Sequence, residues 1–275
     1  MTPTTLPRTH AARVAHWLRP APVTGDRRNF GAEIGAFKTP IPGLRPLYFD
    51  RFPAFGYEKV VADYFADACA LPLSDHALDY VATSHVLEHV ANPVRALWEW
   101  ARVTRPGGIL YLIVPDRRFT FDHTRGLTAP AHLIDDFARG TTDSDGTHIS
   151  DYLDGVDWTR WNPAGSPAEN AATREQLRAA YLAAVAARED INIHFHTFEL
   201  ASFTALIGLM NLHPARPATL EFVDAAEHFP EDCPNGFLAV LRVRKNLPAP
   251  LVAWLRRLRA RGDVRATLLP HAKPF

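Results

Sequence analysis

A chain of 275 residues with 47% apolar composition can bury one large core, and 30 Lys plus Arg against 30 Asp plus Glu leave no net field to attract nucleic acid or an anionic membrane. Two cysteines far apart in sequence, Cys69 and Cys233, make neither a disulfide framework nor a four-thiolate zinc site, and they suit a reducing compartment. The opening "MTPTTLPRTHAARVAHWLRPAP" holds no apolar core of signal-peptide length and no run of about 18 apolar residues occurs, so a soluble cytoplasmic protein without a transmembrane segment is expected.

Residues 1–29, rich in Pro, Thr and Arg, read as an N-terminal arm with one short helix around Ala11 to Leu18. From Phe30 strand and helix signals alternate, which argues for a parallel sheet covered by helices in a domain spanning residues 30–245. "FGAEIGA" and "LYFD" read as the first two strands, "EKVVADYF" as a short helix, and "FADACALPL" as a third strand with its exit loop. "ALDYVATSHVLEHV" gives a fourth strand. The helix "NPVRALWEWARVTRPGG" has Asn92 as cap and Pro93 in the first position, with Val94, Leu97, Trp98 and Ala101 on one face. "ILYLIVPD" is apolar on both alternations and reads as a strand buried on both faces. Ligands of open α/β sheets lie at the carboxyl ends of strands, so Asp50, Asp67, Ser84 and Asp116 are expected to converge there.

From residue 117 to 192 the alternation stops, and the segment reads as an insertion or lid over the strand ends with two helices, one ending near Gly140 and one capped by Ser166. "INIHFH" then reads as a short strand, followed by the helix "FELASFTALIGLMNL" and the strands "ATLEFVDA" and "GFLAVLRVRK". Residues 246–275 hold the amphipathic basic helix "PLVAWLRRLRARG" and a tail. Such a helix suits docking on its own domain or on a second subunit of a homodimer, with an anionic membrane surface as the other reading.

This order of elements, with residues 66–116 ("ADACALPLSDHALDYVATSHVLEHVANPVRALWEWARVTRPGGILYLIVPD"), resembles the class I methyltransferase-like family that uses S-adenosylmethionine on small molecules. The resemblance covers residues 30–116 well and 194–244 in outline. It implies an α/β, Rossmann-like, doubly wound and mostly parallel sheet with an antiparallel last strand and a helical insertion after the fifth strand. It also implies a cofactor site of Glu33 and Gly35 in the first motif, the ribose acid Asp50, Asp67 and Ala68 at the adenine, and Ser84 and His85 beside the cofactor. The chain departs from the family at the cofactor loop, where Phe37 replaces the second glycine and Pro40, Pro42 and Pro46 leave no room for the usual helix.

"HVLEH", residues 85–89, has the H-x-x-E-H spacing of a class of zinc proteases, but it follows a parallel strand with no third ligand in view, which favours a structural role beside the cofactor. "PDRRFTFDHTR" supplies Asp116 and His123 as candidate catalytic groups and Arg117, Arg118, Asp122 and Arg125 as candidate substrate ligands, an Arg fork suiting a carboxylate or phosphate. The same groups could instead pair with one another to fix the loop. His194 and His196, on one side of the expected strand, are candidate general bases. With His132 and His148, which otherwise serve substrate binding, they could form a metal site. The chemistry expected is methyl transfer from S-adenosylmethionine to oxygen or nitrogen of a small acceptor, with a sugar or glycan precursor as one candidate. The alternatives are a methyltransferase-like domain that binds metal and another ligand through its His-rich insertion, and a nicotinamide-binding domain, which the missing glycine fingerprint disfavours.

Overall fold

The computed structural model describes residues 8–18, 30–55, 58–245 and 264–274. Its centre is one sheet built in chain order from β1 (Gly31–Ile34), β2 (Leu47–Asp50), β5 (Tyr64–Phe65), β6 (Leu78–Ser84), β7 (Thr104–Pro115), β8 (Thr219–Phe229), β9 (Gly236–Arg244) and β10 (Lys273–Pro274). A separate two-stranded hairpin joins β3 (Ala54–Phe55) to β4 (Glu58–Lys59). The sheet order is β10-β5-β2-β1-β6-β7-β9-β8. Strands β5, β2, β1, β6 and β7 run parallel, while β9 is antiparallel to both β7 and β8.

Strand β7 shows why the sheet is covered on both sides. Leu110, Leu112 and Val114 enter one core under the helices α2 (Pro93–Val103) and α7 (Leu200–Leu212), and Ile109, Tyr111 and Ile113 enter another on the opposite face. Period-two alternation across a pleated strand gives this division, and two apolar faces demand two covers. In α2 the Asn92 side chain accepts the Arg95 N–H at 3.1 Å and Pro93 starts the first turn, while Trp100 is fully buried.

The second face has an unusual cover. Among the described residues, 35–46 form turns and no helix, and Ile41 and Leu44 of that loop pack on Tyr80 and Tyr111 beside Val14 and Leu18. The last two belong to or follow α1 (His10–Trp17), in the segment expected to be only an arm. Arg13 and the Trp17 indole both reach Asp224, at 3.0 and 2.9 Å, so this helix is bound to the sheet by charge as well as apolar contact.

Two expectations are corrected here, and a third falls outside the described residues. "EKVVADYF" makes no helix: Glu58 and Lys59 pair with Ala54 and Phe55, and Tyr64–Phe65 is already the third strand of the sheet. "INIHFH" makes no ladder strand; a single bridge joins Phe198 to Asp116, and Ile191, Ile193 and Phe195 pack under the insertion instead. Residues 264–274 add an edge strand to β5, whereas the basic helix expected over 250–262 lies outside the described residues.

The insertion contains α3 (Pro130–Arg139), α4 (Ile149–Gly155), α5 (Trp158–Trp161) and α6 (Pro167–Ala186). Gly140, at φ +70°, ends α3, and Ser166 with Glu169 forms a reciprocal cap on α6. Leu177, Tyr181 and Val185 of α6 lean on a small core of Ile149, Tyr152, Leu153 and Phe195, so the insertion carries its own apolar cluster. Among the described residues no helix is long and apolar enough to cross a membrane.

Candidate functional site

The sheet reverses its winding between β1 and β6, which is where open α/β sheets leave a crevice at their strand ends. A cavity of about 720 Å³ lies there. Its wall takes Glu33, Ile34 and Gly35 from β1 and its exit, Asp50 and Arg51 from β2, Ala66 and Ala68 after β5, and Ser84 and His85 from the end of β6. His89, Asp143 and Asn192 close another side, and Cys233 and Asn235 come from the turn between β8 and β9.

The glycine loop keeps its bend in spite of its sequence. Gly35 has φ +66°, and a Cβ on it would stand 2.5 Å from Val86 Cγ2, so both conformation and space require glycine there. Phe37, at the position of the missing glycine, adopts φ +49°. A left-handed bulky residue costs on the order of 1–3 kcal/mol, and such strain concentrates at ligand sites. Behind the loop Glu33 is 1% exposed; its Oε1 accepts the Ile41 N–H at 2.9 Å, while Oε2 has no partner, and burial pushes the carboxyl up to about 7.

Two further acids flank the cavity. Asp50 Oδ1 accepts the Phe52 N–H at 3.0 Å, and burial raises its pKa. Asp67 stands beside the wall rather than in it, holding the Cys69 N–H at 2.7 Å and Arg51 at 3.0 Å. Arg51 also pairs with Asp143 and Asp190, at 2.8 and 2.5 Å. One cationic side chain thus ties the insertion to the strand ends. Ala68 is held from below, since its carbonyl accepts the Trp100 indole N–H at 2.9 Å.

The third side is a cluster of imidazoles around a buried acid. His85 takes the left-handed conformation, φ +54°, immediately after β6. Burial and then the neighbouring His194 lower its pKa to about 4, and the same two causes lower His89 to about 3, so both rings are neutral at physiological pH. Glu88 is 1% exposed with neither carboxylate oxygen hydrogen-bonded; His85 Nδ1 and His89 Nε2 are each 3.7 Å from Oε1. Burial pushes Glu88 up to about 7 from its ordinary 4.5. An acid whose folded pKa exceeds its unfolded one contributes stability below the unfolded value and loses it as pH rises through the folded value. The shift corresponds to about 3 kcal/mol. Glu88→Gln is therefore expected to raise thermal stability relative to the native protein at pH 8, with the gain fading towards pH 5; an equal effect at both pH values would show that Glu88 is not held neutral by burial.

His194 stands behind His89 and outside the cavity lining, their rings meeting edge-on at 4.5 Å between centroids. Its Nδ1 is 2.5 Å from Asp122 Oδ2, and Arg125 holds the other oxygen of Asp122 at 2.8 Å and the His194 carbonyl at 2.8 Å. Burial alone would raise the Asp122 pKa, but the hydrogen bond from His194 and the charge of Arg125 hold it below the ordinary range. This is an oriented imidazole: Nδ1–H donates to Asp122 and Nε2 is left as the acceptor.

The remaining expected groups lie elsewhere. His196 points away from His194, into a cluster with His132, His148 and Asp136, because period-two alternation does not govern a segment outside a ladder. His123 is bonded to Asp157 at 2.7 Å and does not line the cavity. Asp116, fully buried, is paired with Arg118, which also meets Glu227 at 2.9 Å. Arg117 pairs with Glu199 and donates to the carbonyls of His123 and Arg125, and Arg125 itself is fully enclosed between Asp122 and Asp151. These arginines face protein groups, not the cavity. Residues that the sequence reading did not single out are Arg51, Asp143, Asn192 and Asn235, and Glu88 and His89 entered it only as part of the motif "HVLEH". Arg51 follows Asp50 directly, so a local signal existed; Asp143, Asn192 and Asn235 reach the cavity only through chain paths that no periodicity encodes.

Residues 56–112 match the family model described as methyltransferase domain, well under half of the chain. Relatives match over the same order of length. An uncharacterized 37.1 kDa protein from a transposon of Streptomyces fradiae is 50% identical over 50 residues, 18% of this chain and 14% of that protein. The demethylmenaquinone methyltransferase of Mycobacterium marinum is 46% identical over 57 residues, 21% of this chain and 25% of that enzyme. The match thus spans a quarter or less of either relative's length. A solved S-adenosylmethionine-dependent methyltransferase from Methanosarcina mazei is similar over 78% of this chain and 92% of its own, with 14% identity and a TM-score of 0.42. The matched segment begins after β3, ends in the middle of β7 and takes in β5, β6 and α2, so over this stretch the chain is similar to a methyltransferase domain.

Proposed function

We propose that the protein transfers the methyl group of S-adenosylmethionine to an oxygen or nitrogen of a small acceptor. The observation that carries this reading is that Gly35, Asp50 and His85, from the ends of three strands around the reversal point, surround one cavity large enough for a cofactor. The residues present fit the cofactor. The orphaned Oε2 of Glu33 is a buried acceptor suited to an ammonium group, Gly35 lets the backbone approach closely, and the carboxylate of Asp50 suits ribose hydroxyls. Asp67 and the backbone of Ala68 serve the adenine side, with Ser84 and His85 completing the wall. When bound, S-adenosylmethionine supplies an electrophilic methyl group on a sulfonium centre.

The protein's own work is then positioning and removal of one proton. We assign the proton acceptor to Nε2 of His194, one ring behind the cavity wall at His89, with Asp122 as the positioning residue that fixes its tautomer and stabilises the imidazolium. Asp143 and Asn192 bring the insertion over the open side, so the segment from 117 to 192 acts as a cover that excludes water. A sugar or glycan precursor is the acceptor class we favour, since a weakly acidic hydroxyl gains most from such a base. Incubation with S-adenosylmethionine and a panel of sugars, sugar nucleotides, phenols and amines is expected to release S-adenosylhomocysteine with a hydroxyl or amine acceptor. Release that no acceptor accelerates above the solvent background would remove the assignment.

A further inference from the structure

The transfer chemistry leaves unused four side chains that meet where the insertion joins the sheet domain. His132 and Asp136 lie four residues apart on α3 and therefore share a face; His148 comes from the turn before α4, and His196 from the segment before α7. His132 Nε2 is 3.1 Å from His148 Nε2 and 3.2 Å from Asp136 Oδ2. The Nε2 atoms of His148 and His196 stand 3.6 and 3.8 Å from the same oxygen. Four ligands on a tetrahedral zinc ion at about 2.0–2.1 Å would be spaced roughly 3.3–3.4 Å apart, the middle of this range.

A buried hydrogen-bonded network would explain such spacing only if its polar atoms were paired. The central one is not: Asp136 is 2% exposed and its Oδ2 receives no hydrogen bond although three imidazole nitrogens surround it. A buried carboxylate oxygen left so is costly, and a cation at the centre removes the cost. The outer contacts are those of ligands held in place: Asp136 Oδ1 accepts from Thr141 Oγ1 at 3.0 Å, and His148 Nδ1 is bonded to Thr147 Oγ1 at 2.8 Å. His196 Nε2 now donates to the Ala91 carbonyl at 3.1 Å, so as fourth ligand it gives up that bond and carries its proton on Nδ1.

We propose that His132, Asp136, His148 and His196 bind a divalent transition metal of the zinc class in a closed, four-ligand, structural site. Three imidazoles and one carboxylate suit that borderline ion, and four protein ligands leave no position for substrate. The site fastens α3 and the turn before α4, and with them the intervening loop that carries Asp143 of the cavity wall, to the segment before α7. The metal therefore sets where the cover sits.

The experiment is elemental analysis of tag-free, full-length protein incubated with zinc and dialysed. Near-stoichiometric zinc is expected in the native protein, and a loss of most of it in His132→Gln, whose half-exposed ring is the ligand least needed for folding, and in Asp136→Asn. Cobalt in place of zinc gives a second reading on the native protein alone: strong visible bands of a four-coordinate ion are expected. Zinc absent from the native protein, zinc retained in both variants, or a pale six-coordinate cobalt spectrum would each overturn the proposal.

Discussion

Replacing His194 by Ala is expected to lower turnover by about two to four powers of ten while leaving affinity for S-adenosylmethionine nearly unchanged. The size follows from what general base catalysis contributes. The selectivity follows from place: His194 is behind His89, and the cavity-lining groups Glu33, Asp50 and Ser84 come from other elements. Asp122→Asn should reproduce much of the loss with the fold intact, because an amide cannot hold the same tautomer or stabilise the charged ring. Single-turnover kinetics on the two variants, beside calorimetric cofactor affinities, separate this from a packing effect. A His194→Ala protein that turns over at the native rate would return His194 to a buried, hydrogen-bonded residue.

Asp50→Ala is expected to weaken S-adenosylmethionine binding by one or more powers of ten, since a charged acceptor to hydroxyl groups is worth about 1.5–3 kcal/mol. Asp50 is partly spent on the Phe52 N–H, so the loss includes some relaxation of the β2 exit. Asp50→Asn keeps that bond and loses only the charge; it should fall between native and Ala. Equal affinity in all three proteins would show that the acid at the end of "LYFD" does not hold the ribose.

Much of the fold was legible because its signals are local. The run "ILYLIVP" can be satisfied only between two cores, and Asn92 with Pro93 can hardly be anything but a helix start. The three prolines after Gly35 correctly read as loss of a helix, yet nothing in the sequence says that Phe37 would take a left-handed φ or that Ile41 and Leu44 of the same loop would pack on the sheet. Val60 and Val61 look helical beside Glu58 and Lys59, but a two-residue hairpin and a two-residue strand are too short to leave a period. The site was half legible for the same reason. Gly35, Asp50, Ser84 and His85 sit at strand ends that a pattern can locate, while Asp143 and Asn192 arrive by long-range folding of the insertion, held by the ion pairs of Arg51. The arginines of "PDRRFTFDHTR" looked like ligands because a single sequence does not reveal that Glu199, Glu227 and Asp151 wait for them.

The central claim is that the cavity between β1, β2 and β6 holds S-adenosylmethionine despite the altered glycine loop. Calorimetric titration of the folded, native protein with S-adenosylmethionine, and then with S-adenosylhomocysteine as competitor, tests it most directly. Saturable binding of both to one site per chain, weakened in Asp50→Ala, is the expected result. A protein that is folded by circular dichroism but gives neither binding heat nor a thermal shift with either compound would contradict it.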